Sequence, residues 1–281
     1  MKTIWLPNNH TGENLIGGGF SFIRNLKEVS DIYVESPTYV DCDGVLIAGA
    51  TMIKPEEVQV AKDKGKKIIF RIDNMPRNSR NRGTAFNRVK AFYEMADIIV
   101  FQSKWARDYI APFFGKKKSV VILNGCNQDI FNPHANQVQR NHQKKIYLYS
   151  RHNRDETKRW EETWYDYQLI HRKAKEKPVL WICGKFSQEQ IDYNFDFFND
   201  EITFYWGDVA DRILMAGIYA SADKLLMPYY NDGCSNTLIE AISSGLKVEC
   251  NTTGGNKEIL LTPVKELNSK RMEGEYRVLY S

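Results

Sequence analysis

Short β-branched runs alternate with longer amphipathic stretches from one end of the chain to the other. That is the arrangement of βαβ units and parallel sheets, not of a sandwich or a helical bundle. In the first half the strand-like runs are TIWL (3–6), DIYV (31–34), GVLIA (44–48), KIIFRI (67–72), IIVFQ (98–102) and SVVIL (119–123). Stretches with helical periodicity near 18–28, 55–64, 84–96 and 104–112 separate most of them.

The rhythm breaks at Asn124 into NGCNQDIFNPHANQVQRNHQ, a polar segment without periodicity, of the kind that joins domains. A second series follows, with strands KIYLYS (145–150), PVLWIC (178–183), EITFYW (201–206), DKLLMP (223–228) and LKVEC (246–250), and helices near 158–173, 210–220 and 235–244. The pattern predicts an α/β chain of two domains, 1–142 and 143–262, and a C-terminal tail, 263–281. Two such parallel sheets are expected to turn the carboxyl ends of their strands toward a cleft between them.

Composition narrows the class only slightly. A chain of 281 residues, 42% apolar, is long enough for two modest domains. Its 39 basic and 35 acidic residues leave a net charge of +4, a mild imbalance for a dedicated nucleic-acid binder. The five cysteines (Cys42, Cys126, Cys183, Cys234, Cys250) are odd in number and scattered, which indicates neither a disulfide framework nor a zinc site. The first ten residues, MKTIWLPNNH, lack a signal peptide's apolar core, and no run reaches the roughly 20 apolar residues of a membrane span. A soluble cytoplasmic protein is the expectation, with no obligatory protein partner.

Three stretches carry candidate chemistry. PYYNDGCSNTLIEAISSGLKVECNTTGGNKEI (228–259) leaves a strand, crosses a Gly/Ser/Asn loop and opens an apolar helix. Such a turn aims the free N–H groups of a helix N-terminus, here in the run Gly233, Cys234, Ser235, Asn236 and Thr237, at phosphate or sugar oxygens. Asp232 before the turn and Glu240 within the helix add carboxylates, which accept hydrogen bonds from vicinal hydroxyls. SRHNRDETKRW (150–160) follows the first strand of the second series, and IGGGFSFIRNL (16–26) puts Gly17, Gly18 and Gly19 where a backbone can approach a ligand closely.

Taken together these stretches resemble the retaining GT-B glycosyltransferases, the two-Rossmann-domain enzymes with an E-x7-E motif. Here the motif reads D-x7-E, Asp232 to Glu240, followed by EA-x3-SG-x-x-V and a GG-x-x-E tail; NGCNQDIF (124–131) matches the segment before the interdomain linker. The resemblance runs from the glycine loop to Glu258. It implies a nucleotide-diphosphate sugar as donor, UDP-sugar favoured, with no further cofactor and no metal. Arg151 and Lys158 would hold the diphosphate, where two fixed cations stabilise the charge that grows as the glycosidic bond breaks. Asp232, Glu240, Gly17, Gly18 and the 233–237 run would complete the donor site. Two departures stand out: aspartate in place of the first glutamate shortens that reach by one methylene, and Lys158 is followed by Arg159 where the family has glycine.

Many relatives place a histidine after the fourth strand of the first domain. This chain reads FRIDNMPRNSRNRG there, which makes Asp73 the candidate for meeting the sugar or the incoming hydroxyl. Arg71, Arg77, Arg80, Arg82, Arg88 and Lys90 cluster around it, a composition suited to phosphate contacts, with Arg77, Arg80 and Arg82 as acceptor-binding candidates. RIDNMPRNSRNRG and the compact length also resemble small bacteriophage-encoded glycosyltransferases, some of which modify hydroxymethylated bases in DNA. Modified DNA in a host cytoplasm is one acceptor this implies, and a glycan or lipid-linked saccharide is the other. A catalytically silent module binding nucleotide or nucleic acid is the reading of another class. Asp41-Cys42-Asp43 has the D-x-D form but is expected as a solvated turn. The glycine loop is neither G-x-G-x-x-G nor a P-loop, and no G-x-S-x-G elbow occurs.

Overall fold

The computed structural model describes residues 2–10, 15, 17–35, 41–73, 83–140, 142–153, 156–193 and 202–281. The chain forms two compact units. The first comprises Met1–Asn127, Gly233–Asn236 and Lys257–Ser281, and the second Gln128–Asp232 and Thr237–Asn256.

The first unit holds strands β1 (Ile4–Trp5), β2 (Tyr33–Val34), β3 (Gly44–Ile47), β4 (Lys67–Ile72), β5 (Ile98–Phe101) and β6 (Ser119–Val121). They form one sheet in the order β2-β1-β3-β4-β5-β6, with every described pairing parallel. The central strands are covered on both faces, so GVLI and IIVF are buried throughout. Alternation then divides the core. Val45, Ile47, Phe70, Ile99 and Phe101 pack with residues of α2 (Pro55–Asp63), α3 (Gly83–Met95) and α4 (Lys104–Phe114). Leu46, Ile69, Ile98 and Val100 face α1 (Gly18–Lys27), which contributes Phe22, Ile23 and Leu26.

The second unit repeats the plan with β7 (Ile146–His152), β8 (Val179–Gly184), β9 (Thr203–Gly207), β10 (Lys224–Met227) and β11 (Lys247–Cys250), ordered β11-β10-β7-β8-β9 and again parallel. Its helices are α5 (Trp160–Lys173), α6 (Gln188–Tyr193), α7 (Arg212–Ser221) and α8 (Asn236–Ser243). α5 buries Trp160, Trp164 and Tyr167 along one stripe, and Asp211 starts α7 by accepting the N–H groups of Ile213 and Leu214 at 2.8 and 3.3 Å. The expected helix from 158 begins at Trp160, because Arg159 is in the left-handed conformation after a short 3-10 turn over Glu156–Lys158.

After α9 (Asn256–Leu261), the segment expected as a tail forms α10 (Ser269–Val278) on the first sheet. Asn268 caps α10 by accepting Arg271 N–H at 2.7 Å, and Met272, Tyr276 and Tyr280 fill the core beside Phe22. The i, i+4, i+8 spacing of those three apolar residues in a charged sequence supplies the physical reason. No described helix is long and apolar enough to cross a membrane, and no group of three or more described His, Cys, Asp or Glu side chains gathers as a metal set.

Candidate functional site

In the second unit, β7 ends in a register shift between Tyr149 and His152, and Arg151 lies within it at φ 65°. A side-chain-bearing residue rarely adopts this conformation, and the cost is typical of positions where geometry serves a site. The distortion accompanies an inward guanidinium: Arg151 Nη2 donates to Glu240 Oε2 at 3.1 Å. The Arg151 side chain is 20% exposed and that of Glu240 2%. Tyr219, fully buried on α7, donates its hydroxyl to the same oxygen at 3.5 Å and lies 3.2 Å from Ser150 Oγ. Burial works against the Arg151 cation, yet Glu240 and then Tyr219 outweigh it and hold the guanidinium pKa above its ordinary value. The sequence-predicted Arg151 and Glu240 thus meet directly. Tyr219, which orients the carboxylate, was not foreseen, because a tyrosine in an apolar helix reads as core.

Lys158 belongs to the same unit. Its Nζ sits 4.0 Å from the centroid of the Tyr229 ring, a cation–π contact, and its carbonyl accepts the Tyr149 hydroxyl at 3.1 Å. Asp232 is placed by its backbone: its carbonyl accepts Gly255 N–H at 2.8 Å, and Asn231 N–H goes to Thr253 Oγ1 at 3.2 Å. Gly254 has φ +70°, and a Cβ there would lie 2.5 Å from the Asp232 carbonyl oxygen, so the paired glycines of the 228–259 stretch clamp the first acidic position. Thr237 is buried in this unit at the start of α8.

His152, also buried, stacks on Phe186 with ring centroids 3.7 Å apart and lies 3.1 Å from the Tyr149 hydroxyl through Nδ1. Burial, and then the Lys158 charge, lower its pKa to about 4, with Gln190 opposing. The unfolded chain, near 6.5, therefore takes up this proton first. Stability from neutral His152 is complete above about 6.5 and is lost as pH falls toward 4. In thermal melts across that interval, His152→Gln is expected to fall less steeply than the wild type; parallel curves would show that His152 contributes nothing to acid sensitivity.

The other predicted residues lie in the first unit. Gly17, at φ 148°, precedes α1, whose first turn holds Gly18 and Gly19. Asp73 follows β4, and a Cβ on Gly49 would stand 2.4 Å from its Oδ2, so the carboxylate occupies space that only glycine leaves. Cys234 and Ser235 are buried here. Asn124 N–H donates to Cys234 Sγ at 3.4 Å, Asn124 Nδ2 to Asn236 Oδ1 at 2.9 Å, and Asn236 Nδ2 to the Gly18 carbonyl at 3.2 Å. Gly233 packs beside Ala106 and Gln102. The predicted donor loop is therefore divided, with Gly233–Asn236 counted with the first unit and Asp232 and Thr237 with the second.

Glu258 of the GG-x-x-E tail accepts Lys104 and Trp105 N–H groups, each at 2.9 Å, and so caps α4. Asp43 of the D-x-D accepts Thr3 N–H at 2.7 Å, a turn role. Arg77, Arg80 and Arg82 lie outside the described residues. Arg71 is a correction to the basic cluster: at 1% exposure it is core, stacked 4.1 Å from the Phe22 ring centroid, and cannot meet a polyanion. β4 is covered on both faces, so a side chain at its end is buried whatever its charge.

No family model and no curated protein matches the chain. Solved structures do. HepE from Anabaena, in complex with UDP-glucose, superposes with a TM-score of 0.68 at 11% identity, covering 99% of this chain and 89% of that one. AviGT4, a glycosyltransferase involved in avilamycin A biosynthesis, gives 0.66 at 11% identity over 100% and 97%. Sucrose-phosphate synthase from Thermosynechococcus elongatus gives 0.60 at 15% identity over 85% and 70%. The likeness is one of fold, and the fold is that of the GT-B glycosyltransferases.

Proposed function

We propose that the protein is a retaining glycosyltransferase that moves a sugar from a nucleotide-diphosphate sugar to an acceptor hydroxyl. The observations that carry this lie in the second unit, where the buried carboxylate of Glu240 on α8 pairs with Arg151 at the end of β7, and Lys158 lies over the ring of Tyr229 just past β10. Glu240 Oε2 is used by Arg151 and Tyr219, which leaves Oε1 to accept a ribose hydroxyl. Arg151 keeps N–H donors beyond its ion pair, and with Lys158 it faces the diphosphate. As the bond from C1 of the sugar to the phosphate oxygen breaks, those cations take up the growing charge. The acceptor oxygen forms its bond to C1 on the same face, and its proton passes to the departing phosphate. Asp232 and the 233–237 run orient the sugar. The positive charge comes from protein, so the reaction needs no divalent metal. UDP-glucose, the ligand of HepE, is the first donor to try.

The favoured acceptor is a hydroxymethylated base in DNA, supported by Arg77, Arg80 and Arg82 in the sequence between β4 and α3. The base would leave the stack to react. Asp73, in its glycine-lined seat, meets the sugar or the incoming hydroxyl.

The test is nucleoside diphosphate release from UDP-, GDP- and ADP-sugars, with chelator present, with and without hydroxymethylated duplex DNA. One donor is expected to be turned over faster with DNA, and Asp73→Asn to lower kcat by about a hundredfold, the scale of a misplacement at the reacting centre. Stimulation by glycans but not DNA would replace the acceptor. Binding without release would favour a silent module.

A further inference from the structure

Arg71 is a large buried group that this mechanism does not use. Its Nη1 donates to the Ala48 carbonyl at 2.7 Å, and its Nη2 to Gln102 Oε1 at 2.8 Å and Asn124 Oδ1 at 3.2 Å. Its Nε is buried with no hydrogen-bond partner, and the hydrogen bonds of its other two nitrogens go to neutral oxygens. A cation withdrawn from water and answered only by neutral oxygens is costly, and an apolar side chain over Phe22 would be cheaper.

The guanidinium does one thing no apolar side chain can. It donates and never accepts, so it turns the oxygens of both neighbouring amides toward itself. The Gln102 NH2 group then faces the Ile72 carbonyl, at 2.9 Å. The Asn124 NH2 group faces Asn236 Oδ1 at 2.9 Å and the Cys234 carbonyl at 3.2 Å, and Gln102 Oε1 lies 3.0 Å away. Asn236, with its oxygen engaged, presents its own NH2 to the Gly18 carbonyl at 3.2 Å. A relay with one direction runs from Arg71 through Asn124 to the loop Gly233–Asn236.

We infer that Arg71 is a positioning residue that sets the polarity of this relay and thereby holds the donor loop in its binding geometry. The effect on donor rests on the function proposed above; the relay itself does not. Two measurements separate them. By NMR, the side-chain amide protons of Asn124 and Asn236 should exchange at least about tenfold faster in Arg71→Met than in the wild type, the equivalent of one lost buried charged hydrogen bond, while backbone amides of β8 are unchanged. In kinetics, Arg71→Met should raise donor KM about tenfold with kcat nearly constant, and Arg71→Lys, a donor-only cation without the fork, should recover part of it. Asn236→Ala should cost donor affinity in the wild type and little in the Arg71 variants, since coupled residues are not additive. If Arg71→Met does not fold, the Arg71→Lys and Asn236→Ala cycle carries the same test. Unchanged amide exchange, or strictly additive effects, would overturn the inference. Altered exchange in a protein that turns over no nucleotide sugar would uphold the relay and reject the transferase reading.

Discussion

Glu240→Ala is expected to lose donor binding and stability together, with a thermal midpoint about 5–10 °C lower and a donor KM raised beyond practical saturation. The stability loss follows from what remains behind. Removing one member of a buried ion pair costs about 3–5 kcal/mol because the other charge stays uncompensated. Arg151, 20% exposed, recovers some hydration, so about 2–3 kcal/mol is the expectation here. Tyr219 loses its acceptor as well, with Ser150 Oγ still beside it at 3.2 Å. Glu240→Gln keeps an oxygen for Tyr219 and should fall between the two proteins in stability. Combining Glu240→Ala with Arg151→Met removes the stranded charge and should restore part of the midpoint while donor binding stays lost. Recovery of both together would mean that the pair is only structural. A wild-type KM in Glu240→Ala would remove the central assignment.

The behaviour of this pair illustrates what a sequence exposes. Arg151, Lys158 and Glu240 were candidates through the resemblance of their stretches to a family motif, and of these the structure brings Arg151 and Glu240 into direct contact. Most of both sheets was legible for a different reason: strands covered on two faces read as continuous apolar runs such as GVLI and IIVF. Tyr219, Tyr149 and Tyr229 were not, because a tyrosine that orients a carboxylate or carries a lysine has the same sequence signature as one that fills a core. Arg71 misled in the opposite direction. Among arginines its charge suggested surface, and only the sheet topology shows that the end of β4 lies under α1. The grouping of Gly233–Asn236 with the first unit is likewise a product of tertiary packing, carried by Asn124, a residue that the sequence marked as part of a motif without showing its task. α10 was readable in principle, since Met272, Tyr276 and Tyr280 recur every four residues, but its charged surroundings gave the segment the look of a tail.

Gly125→Ala is expected to be the most destabilising conservative change in the first unit, by about 3 kcal/mol or more, because the clash it creates is with backbone. An added Cβ would lie 2.3 Å from the Asn268 carbonyl oxygen, 2.4 Å from its carbon and 2.9 Å from Ser269 N. No rotamer can relieve that contact, so either the 124–126 segment or the start of α10 must move. Both are tightly fastened. Cys126 N–H donates to the Leu267 carbonyl at 3.0 Å, Ser269 N–H to the Cys126 carbonyl at 2.8 Å, and Gly125 N–H to Met272 Sδ at 3.2 Å. Asn25, itself buried on α1, donates to the Gly125 carbonyl at 2.7 Å, and Arg271 Nη2 to the Leu123 carbonyl at 2.9 Å. Displacing α10 by the required distance breaks several of these at once and uncovers Phe22, against which Tyr276 packs edge-on at 5.3 Å. The glycine of the N-G pair is thus required for space. Hydrogen exchange should localise the damage, with amides of α1 and α10 opening faster while those of β8 keep their protection. A variant that melts like the wild type, or that loses protection uniformly, would show that α10 is not pinned through Gly125.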